Sequence, residues 1–279
     1  MKSLKNYLET IITPRIIDCH YHLFDANGET PLNHNIRKIG FMDIWLPGID
    51  DYTGTKSEQL YDKYIKSGVP VEVKLLATAP DPYQTIHIYE QHKEYIVGFG
   101  ELKCYDWSFG KETPIKLPYK DLKWVYEVCK YNTMNYPIYI HYSLDENNYG
   151  VLERLFNDFP NIPFILCHAG IGTDKEYGFS LDGTPQASFD LANKLSYLPN
   201  VYLDISYTAT DFVIDNLTDI NQYNINMEKC MIGTDTNHQQ FISDNIDGYD
   251  LYKKQERNFL HLYKYFEVWN YFNIRKLFD

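Results

Sequence analysis

The chain has 279 residues, of which 44% are hydrophobic and 23% charged, a balance typical of a folded globular protein. Its 38 acidic and 26 basic residues give a formal net charge of −12, which disfavours binding to nucleic acid or to anionic membranes. The sequence contains no apolar run long enough for a membrane span and no uninterrupted apolar stretch typical of a signal peptide. Its 5 cysteines show no CxxC spacing. A cytoplasmic protein is therefore expected.

Short apolar runs rich in β-branched residues recur along the chain and predict parallel strands that are buried on both faces. In chain order they are 16–20, 39–45, 71–77, 96–101, 137–141, 163–168, 201–205 and 230–235. Amphipathic stretches with helical spacing separate most of the runs, at 57–67, 82–92, 119–132, 149–159 and 186–198. The stretch between the first two runs has a weak pattern, and a loop is expected there.

Strands that alternate with helices predict parallel βαβ units, and eight such units favour a closed (β/α)₈ barrel of the α/β class. We expect one domain that spans residues 1–279. An open, doubly wound sheet is the alternative architecture. No GxGxxG follows the first run and no glycine-rich phosphate loop occurs in the sequence, which weakens that alternative.

Histidine and carboxylate residues stand at the ends of five of the predicted strands. In a (β/α)₈ barrel the carboxyl ends of the strands form the active-site face, so these side chains are expected to converge on one mouth. Imidazole and carboxylate are the ligands that suit zinc and similar divalent ions. The predicted ligands are His20, His22, Glu101, His141, His168 and Asp235.

Alternation along a strand places residues two apart on the same side. His20 and His22 can therefore face the site together, whereas Cys19 and Cys167 are predicted to face the helices as packing residues. Asp204 ends the seventh run, where it either supports a ligand imidazole from behind or caps a neighbouring loop or helix.

The order HxH, Glu, His, His, Asp resembles the amidohydrolase superfamily of metal-dependent hydrolases. The fragments FILCHAG at 164–170, NVYLDIS at 200–206 and IGTD at 232–235, together with the ending 272–278, are similar to its amidohydrolase 2 branch. The resemblance covers essentially the whole chain. It implies a (β/α)₈ barrel with one or two divalent metals, usually hydrolysing amide or ester bonds at carbon or phosphorus, although some members of the branch are nonhydrolytic decarboxylases.

Position by position, the resemblance implies His20 and His22 as ligands of a first metal, with Asp235 beside them. His141 and His168 stand where binuclear members hold the second metal. Mononuclear members use the strand-5 histidine as a ligand and place the strand-6 histidine near the substrate.

Glu101 stands where binuclear members carry a bridging glutamate or a carboxylated lysine, as in the TatD-like hydrolases. Lys103 shares a strand face with Glu101, so either residue could bridge the metals. An uncoordinated Lys103 would instead either bind a carboxylate or phosphate of the substrate or lie exposed to solvent at the mouth. His238 and Trp45 are further predicted substrate contacts.

The predicted function is hydrolysis of an amide, ester, lactone or phosphoester bond in a small organic substrate. The expected cofactor is a divalent metal, zinc first and manganese second, at one or two ions per chain. Asp235 is the predicted proton shuttle and His168 the second catalytic residue. The alternative is a mononuclear decarboxylase of an aromatic or unsaturated acid, which the strand-4 carboxylate of Glu101 disfavours. The expected partner is the small-molecule substrate, and the sequence leaves open whether the chain also forms a homo-oligomer.

Overall fold

The computed structural model describes part of the chain. The described residues are 17–22, 39–44, 74–77, 82–94, 96–103, 122–171, 185–216, 225–233, 235, 257–258, 261–263, 265–266, 269–270 and 272–278. The predicted helix 57–67 and the predicted loop between the first two strands lie outside them.

Within these residues, eight strands form one sheet in which each strand pairs with the next in chain order. All seven pairings are parallel. The predicted α/β fold with a parallel sheet is therefore confirmed. The strands are β1 (Ile17–His22), β2 (Ile39–Ile44), β3 (Lys74–Ala77), β4 (Ile96–Lys103), β5 (Ile138–His141), β6 (Phe164–Leu166), β7 (Val201–Ile205) and β8 (Cys230–Ile232).

Helices connect several of the strands. Four of them match predicted helices, the first with its predicted bounds, whereas the helix after β7 was not predicted. Residues 272–278 near the end of the chain are also helical. The helices are α1 (Pro82–His92), α2 (Lys123–Tyr131), α3 (Tyr149–Asp158), α4 (Pro185–Leu195) and α5 (Tyr207–Asn216). Among the described helices, none has both the length and the apolar character that crossing a membrane requires.

The two faces of the sheet pack against different groups. Alternate residues such as Ile138 and Ile140 join a buried cluster with helix residues, which include Leu152 of α3. The intervening Tyr139 belongs to a second buried cluster, which Phe278 near the end of the chain also joins. Each fully buried aliphatic or aromatic side chain contributes about 1.5–3 kcal/mol of transfer free energy, so both layers stabilise the sheet that carries the site.

A β-bulge interrupts β1 immediately before its polar end. Asp18 pairs with Gly40 and Tyr21 with Met42, so two residues of β1 stand opposite one residue of β2. A bulge of this kind breaks the strict alternation of side chains along the strand.

A second bulge occurs in β4. Phe99 pairs with Ile138 and Leu102 with Ile140, so β4 also carries one extra residue. Phe99 and Leu102 both pack in the cluster with the helices, although they are three residues apart. The extra residue thus keeps Glu101 out of the helix layer and on the side of the sheet where His141 and His168 lie.

Asn200 ties the chain after α3 to the start of β7, and its loss is expected to destabilise the fold. Its Nδ2 lies 3.0–3.1 Å from the carbonyl oxygens of Phe156, Phe159 and Ile162. We expect Asn200→Ala to lower the free energy of unfolding by about 1–3 kcal/mol, because buried carbonyls lose a donor. Urea denaturation measures this change.

Asn157→Ala is the matched control for that substitution. The Asn157 amide also donates to a carbonyl of α3, but this hydrogen bond is exposed. Its removal is expected to change the free energy of unfolding by less than about 0.5 kcal/mol. Equal effects of the two substitutions would contradict the role assigned to Asn200.

Candidate metal centre

Side chains from separate strands meet beyond the carboxyl ends of the sheet. Ligand atoms of His20, Glu101 and His168 all lie within 4.8 Å of one another, and all three residues are buried. His141 contacts Glu101, and Asp235 contacts His20 and His168. The structure therefore brings together five of the six predicted ligands.

Glu101 contacts two of the imidazoles. Its Oε1 is hydrogen-bonded to Nδ1 of His141 and lies 3.3 Å from Nε2 of His168. The rings of His141 and His168 meet edge to face, with an interplanar angle of 72° and centroids 4.7 Å apart. Because Glu101 is only 3% exposed, its carboxylate faces ring nitrogens instead of bulk water.

Asp235 closes the group on the side of β8. Its Oδ1 lies 3.4 Å from Nε2 of His20 and its Oδ2 lies 3.6 Å from Nε2 of His168. The backbone N–H of Asp235 donates to the carbonyl of His20 at 2.8 Å, which fixes the residue beside β1. The side chain of Asp235 is 14% exposed, which makes it more accessible than the Glu101 carboxylate.

A buried polar group lies behind the imidazoles. Nδ1 of His20 donates to Oδ2 of Asp204 at 2.6 Å, so of the two roles considered for Asp204 the structure shows the contact with an imidazole. Nδ1 of His168 lies 3.0 Å from Oγ of Ser206, and that hydroxyl donates to Oδ2 of Asp204 at 2.8 Å. These hydrogen bonds hold both rings by Nδ1, so each Nε2 faces the other predicted ligands.

The carboxylates stabilise positive charge at this place. Burial lowers the pKa of His20. The negative charges of Asp204 and Asp235 raise it by more, so the pKa lies well above its ordinary value. Burial also lowers the pKa of His168, and Asp235 with Glu101 again produces a net increase. The group therefore favours a cation, which in the absence of metal is a proton.

The donor set fits a divalent metal. The rings of His20 and His168 are stacked, with centroids 5.3 Å apart, and two imidazolium cations at this separation would repel each other. As neutral ligands they instead offer Nε2 lone pairs toward the carboxylates, and nitrogen with oxygen is the ligand combination that zinc accepts. The residues present thus match the metal centre that the resemblance implies.

The backbone around the centre has unusual conformations. His168 and Ala169 after β6, Tyr207 after β7 and Asp235 after β8 have φ between 46° and 53°. A left-handed conformation costs a non-glycine residue about 1–2 kcal/mol, and such residues concentrate at functional sites. Adjacent residues of a strand normally point to opposite sides. Because His168 has a left-handed conformation, it can face the centre although Cys167, the residue before it, also lies beside His20 and Asp204.

The predicted orientation of Cys19 and Cys167 is wrong. Both belong to the second buried cluster, which contains Tyr139, and the Cys19 thiol donates to Oδ1 of Asp204 at 3.4 Å. Cys167 forms a close group with His20 and Asp204, whose ligand atoms lie within 4.8 Å of one another. The β1 bulge turns Cys19 and His20 to the same side, and β6 ends before His168, so simple alternation fails at both places.

Several predicted site residues lie outside the described part of the structure. They are His238, Trp45 and the side chains of His22 and Lys103. Sequence reasoning missed Ser206 and Tyr207. The spacing carried a signal for Ser206, since a residue two positions after Asp204 falls on the same side of the chain. The ring of Tyr207 lies edge-on to His168, with centroids 6.0 Å apart.

Comparisons with known proteins found a matching family model and several similar solved structures. A family model described as "Amidohydrolase" matches residues 108–253. Among solved structures, an amidohydrolase from Burkholderia multivorans with bound HEPES has a TM-score of 0.50 at 12% identity, covering 87% of this chain and 91% of its own. Amidohydrolase 2 from Bifidobacterium longum subsp. infantis has a TM-score of 0.40 at 15% identity, covering 91% and 94%.

A second crystal form of the Burkholderia multivorans amidohydrolase was solved with bound zinc, and it has a TM-score of 0.40 at 12% identity, covering 87% of this chain and 91% of its own. No curated protein matches this chain.

Proposed function

Because the chain belongs to the amidohydrolase family of metal-dependent enzymes, we propose that it hydrolyses an amide, ester, lactone or phosphoester bond of a small organic substrate. The observation that carries this proposal is a cluster in which imidazole and carboxylate side chains contact one another. They come from β1, from β4 and from the ends of β5, β6 and β8.

The residues that would hold the metal are those whose nitrogen and oxygen atoms face one another at this centre. A bound divalent ion would lower the pKa of water and polarise the bond to be cleaved. Zinc is the proposed metal, with manganese as the second choice, at one or two ions per chain. The proposed ligands are His20, His22, Glu101, His141, His168 and Asp235.

Asp235 is the proposed general base and acid. It is the most accessible carboxylate of the centre, and it lies beside Nε2 of both His20 and His168. A carboxylate in this position can accept a proton from the attacking water and then deliver it to the leaving group. His168, held by Ser206 at Nδ1, keeps its Nε2 directed at the same place.

Glu101 supports hydrolysis with two metals over the decarboxylase alternative. Its carboxylate contacts both His141 and His168. Glu101 therefore lies where a carboxylate that served two metals would be needed. A single-metal decarboxylase gains little from a buried carboxylate there.

We further propose that the sheet closes into a barrel within one domain spanning residues 1–279. The hydrogen bond from Asp235 N–H to the His20 carbonyl supports closure, because it links the chain after β8 to β1. Gly233 supports it as well, since a side chain at this position would come within 2.6 Å of Cβ of His20.

Metal analysis of protein purified without chelators tests the proposed centre. We expect about two divalent ions per chain at full loading. His168→Asn should lower this number, because it removes a buried ring nitrogen from the group. His87→Asn, which changes an exposed histidine of α1, should leave it unchanged. A wild-type chain that binds no added zinc or manganese would overturn the proposal.

The reaction class needs a second measurement on the fully loaded protein. We propose to assay small esters, lactones, amides and phosphodiesters alongside aromatic and unsaturated carboxylic acids. Hydrolysis in the first group, abolished in His168→Asn and retained in His87→Asn, is the expected result. Release of carbon dioxide from the acids by protein with one metal per chain would favour the decarboxylase instead.

A further inference from the structure

The Ser206 hydroxyl links the two imidazoles that reach the centre from β1 and from the end of β6. Its proton goes to Oδ2 of Asp204, at 2.8 Å, and its oxygen lies 3.0 Å from Nδ1 of His168. A hydroxyl has only one proton to donate. The contact with His168 is therefore a hydrogen bond only if Nδ1 of His168 carries a proton.

The same reasoning applies to His20. Nδ1 of His20 lies 2.6 Å from the Asp204 oxygen that also receives the Ser206 proton. An ionised carboxylate only accepts hydrogen bonds, so Nδ1 of His20 must also carry a proton. In their neutral forms, both rings then have the lone pair on Nε2, which faces Glu101 or Asp235.

Burial makes these hydrogen bonds difficult to replace. Asp204 and Ser206 are completely buried, and His20 and His168 are 3% and 2% exposed. Bulk water cannot substitute for a lost partner at such positions, so the orientation of the rings depends on the side chains themselves.

We propose that Ser206 is a positioning residue that, together with Asp204, fixes both His20 and His168 in the tautomer that presents Nε2 to the metal. This inference rests on the proposed metal centre and adds to it a residue that contacts no metal. Loss of a partner that orients a metal-binding histidine typically weakens metal binding by about 10–100-fold.

The first test compares zinc affinity in two serine variants by competition with a chelator. Ser206→Ala is expected to weaken zinc binding by about 10–100-fold. Ser188→Ala is the matched control, because Ser188 is also buried and its hydroxyl donates at 2.7 Å to the backbone carbonyl of Leu144 instead of to a side chain of the centre. It should bind zinc like the wild type. Wild-type affinity in Ser206→Ala would overturn the proposal.

The second test observes the imidazole proton directly by NMR of the metal-free protein. A proton on Nδ1 of His168 should be protected from exchange with water in the wild type and in Ser188→Ala. The signal is assigned by its disappearance in His168→Asn. In Ser206→Ala the protection should be lost, and in Ser206→Thr, which keeps a hydroxyl, it should return. A protected proton that persists in Ser206→Ala would show that Ser206 does not hold the ring.

The two tests separate this inference from the proposed function. A wild-type chain without affinity for zinc would overturn the proposed function, while the NMR result on the metal-free protein would still decide the role of Ser206. If Ser206→Ala does not fold, Ser206→Val replaces it, because valine has the shape of the threonine variant without its hydroxyl. Zinc affinity below that of the wild type is then expected, and wild-type affinity together with an unchanged His168 proton would overturn the proposal.

Discussion

Replacing Asp235 with asparagine is expected to reduce kcat by about 10²–10⁴-fold, the usual loss when a general base is removed. Asparagine keeps the shape of the side chain and one carbonyl oxygen, so the bound metal should be retained. The measurement is kcat with the best substrate found in the assay panel, together with the metal content of the same sample.

Asp190→Asn is the control for this substitution, since Asp190 is an exposed aspartate on α4. It should leave turnover and metal content unchanged. Near-normal turnover in Asp235→Asn with full metal content would show that Asp235 is not the base, and the role would pass to His168.

Glu101→Gln is expected to remove one metal per chain and to reduce turnover by about 10²-fold or more. A metal provides several kcal/mol of transition-state stabilisation, and each 1.36 kcal/mol corresponds to a factor of ten in rate. The neutral amide is a poorer partner for a cation than the buried carboxylate that contacts His141 and His168. Elemental analysis and kcat measured on one preparation check both parts of the prediction.

The control for Glu101→Gln is a surface glutamate. Glu127 of α2 pairs with Lys130 at 3.1 Å, and a partly exposed ion pair of this kind contributes little. Glu127→Gln should keep both the metal and the activity. Full metal content in Glu101→Gln would contradict a bridging role, and Lys103 would then be the residue to examine.

The strands were predictable because burial on both faces selects short apolar runs. β7 (Val201–Ile205) has its predicted bounds, and β5 extends to His141 as expected. The helix α5 (Tyr207–Asn216) was missed because its sequence, YTATDFVIDN, contains β-branched residues and lacks a clear apolar stripe. It begins at a residue with positive φ, which no periodicity reveals.

The residues of the site could be predicted where the residue type and its place at a strand end were sufficient. They could not be predicted where the orientation of a side chain depends on how two strands pair. His141 and Glu101 could be placed near each other because both end parallel strands. The orientation of the Cys19 side chain toward Asp204 could not be predicted, because it follows from a bulge that exists only when β1 is paired with β2. Ser206 was overlooked because a serine after a strand is common; its spacing from Asp204 gave a weak signal, and its contacts with His168 and Asp204 depend on distances that the sequence does not contain.

The sharing of one carboxylate by two histidines has a consequence for how this centre can evolve. Positions 20, 168 and 206 lie far apart in the chain but use Asp204 as a common acceptor, directly or through one hydroxyl. Substitutions among residues joined in one such network have non-additive effects. A lineage that changed Asp204 would alter both histidines in a single step, so viable routes to a new ligand arrangement would require mutations at several of these positions together.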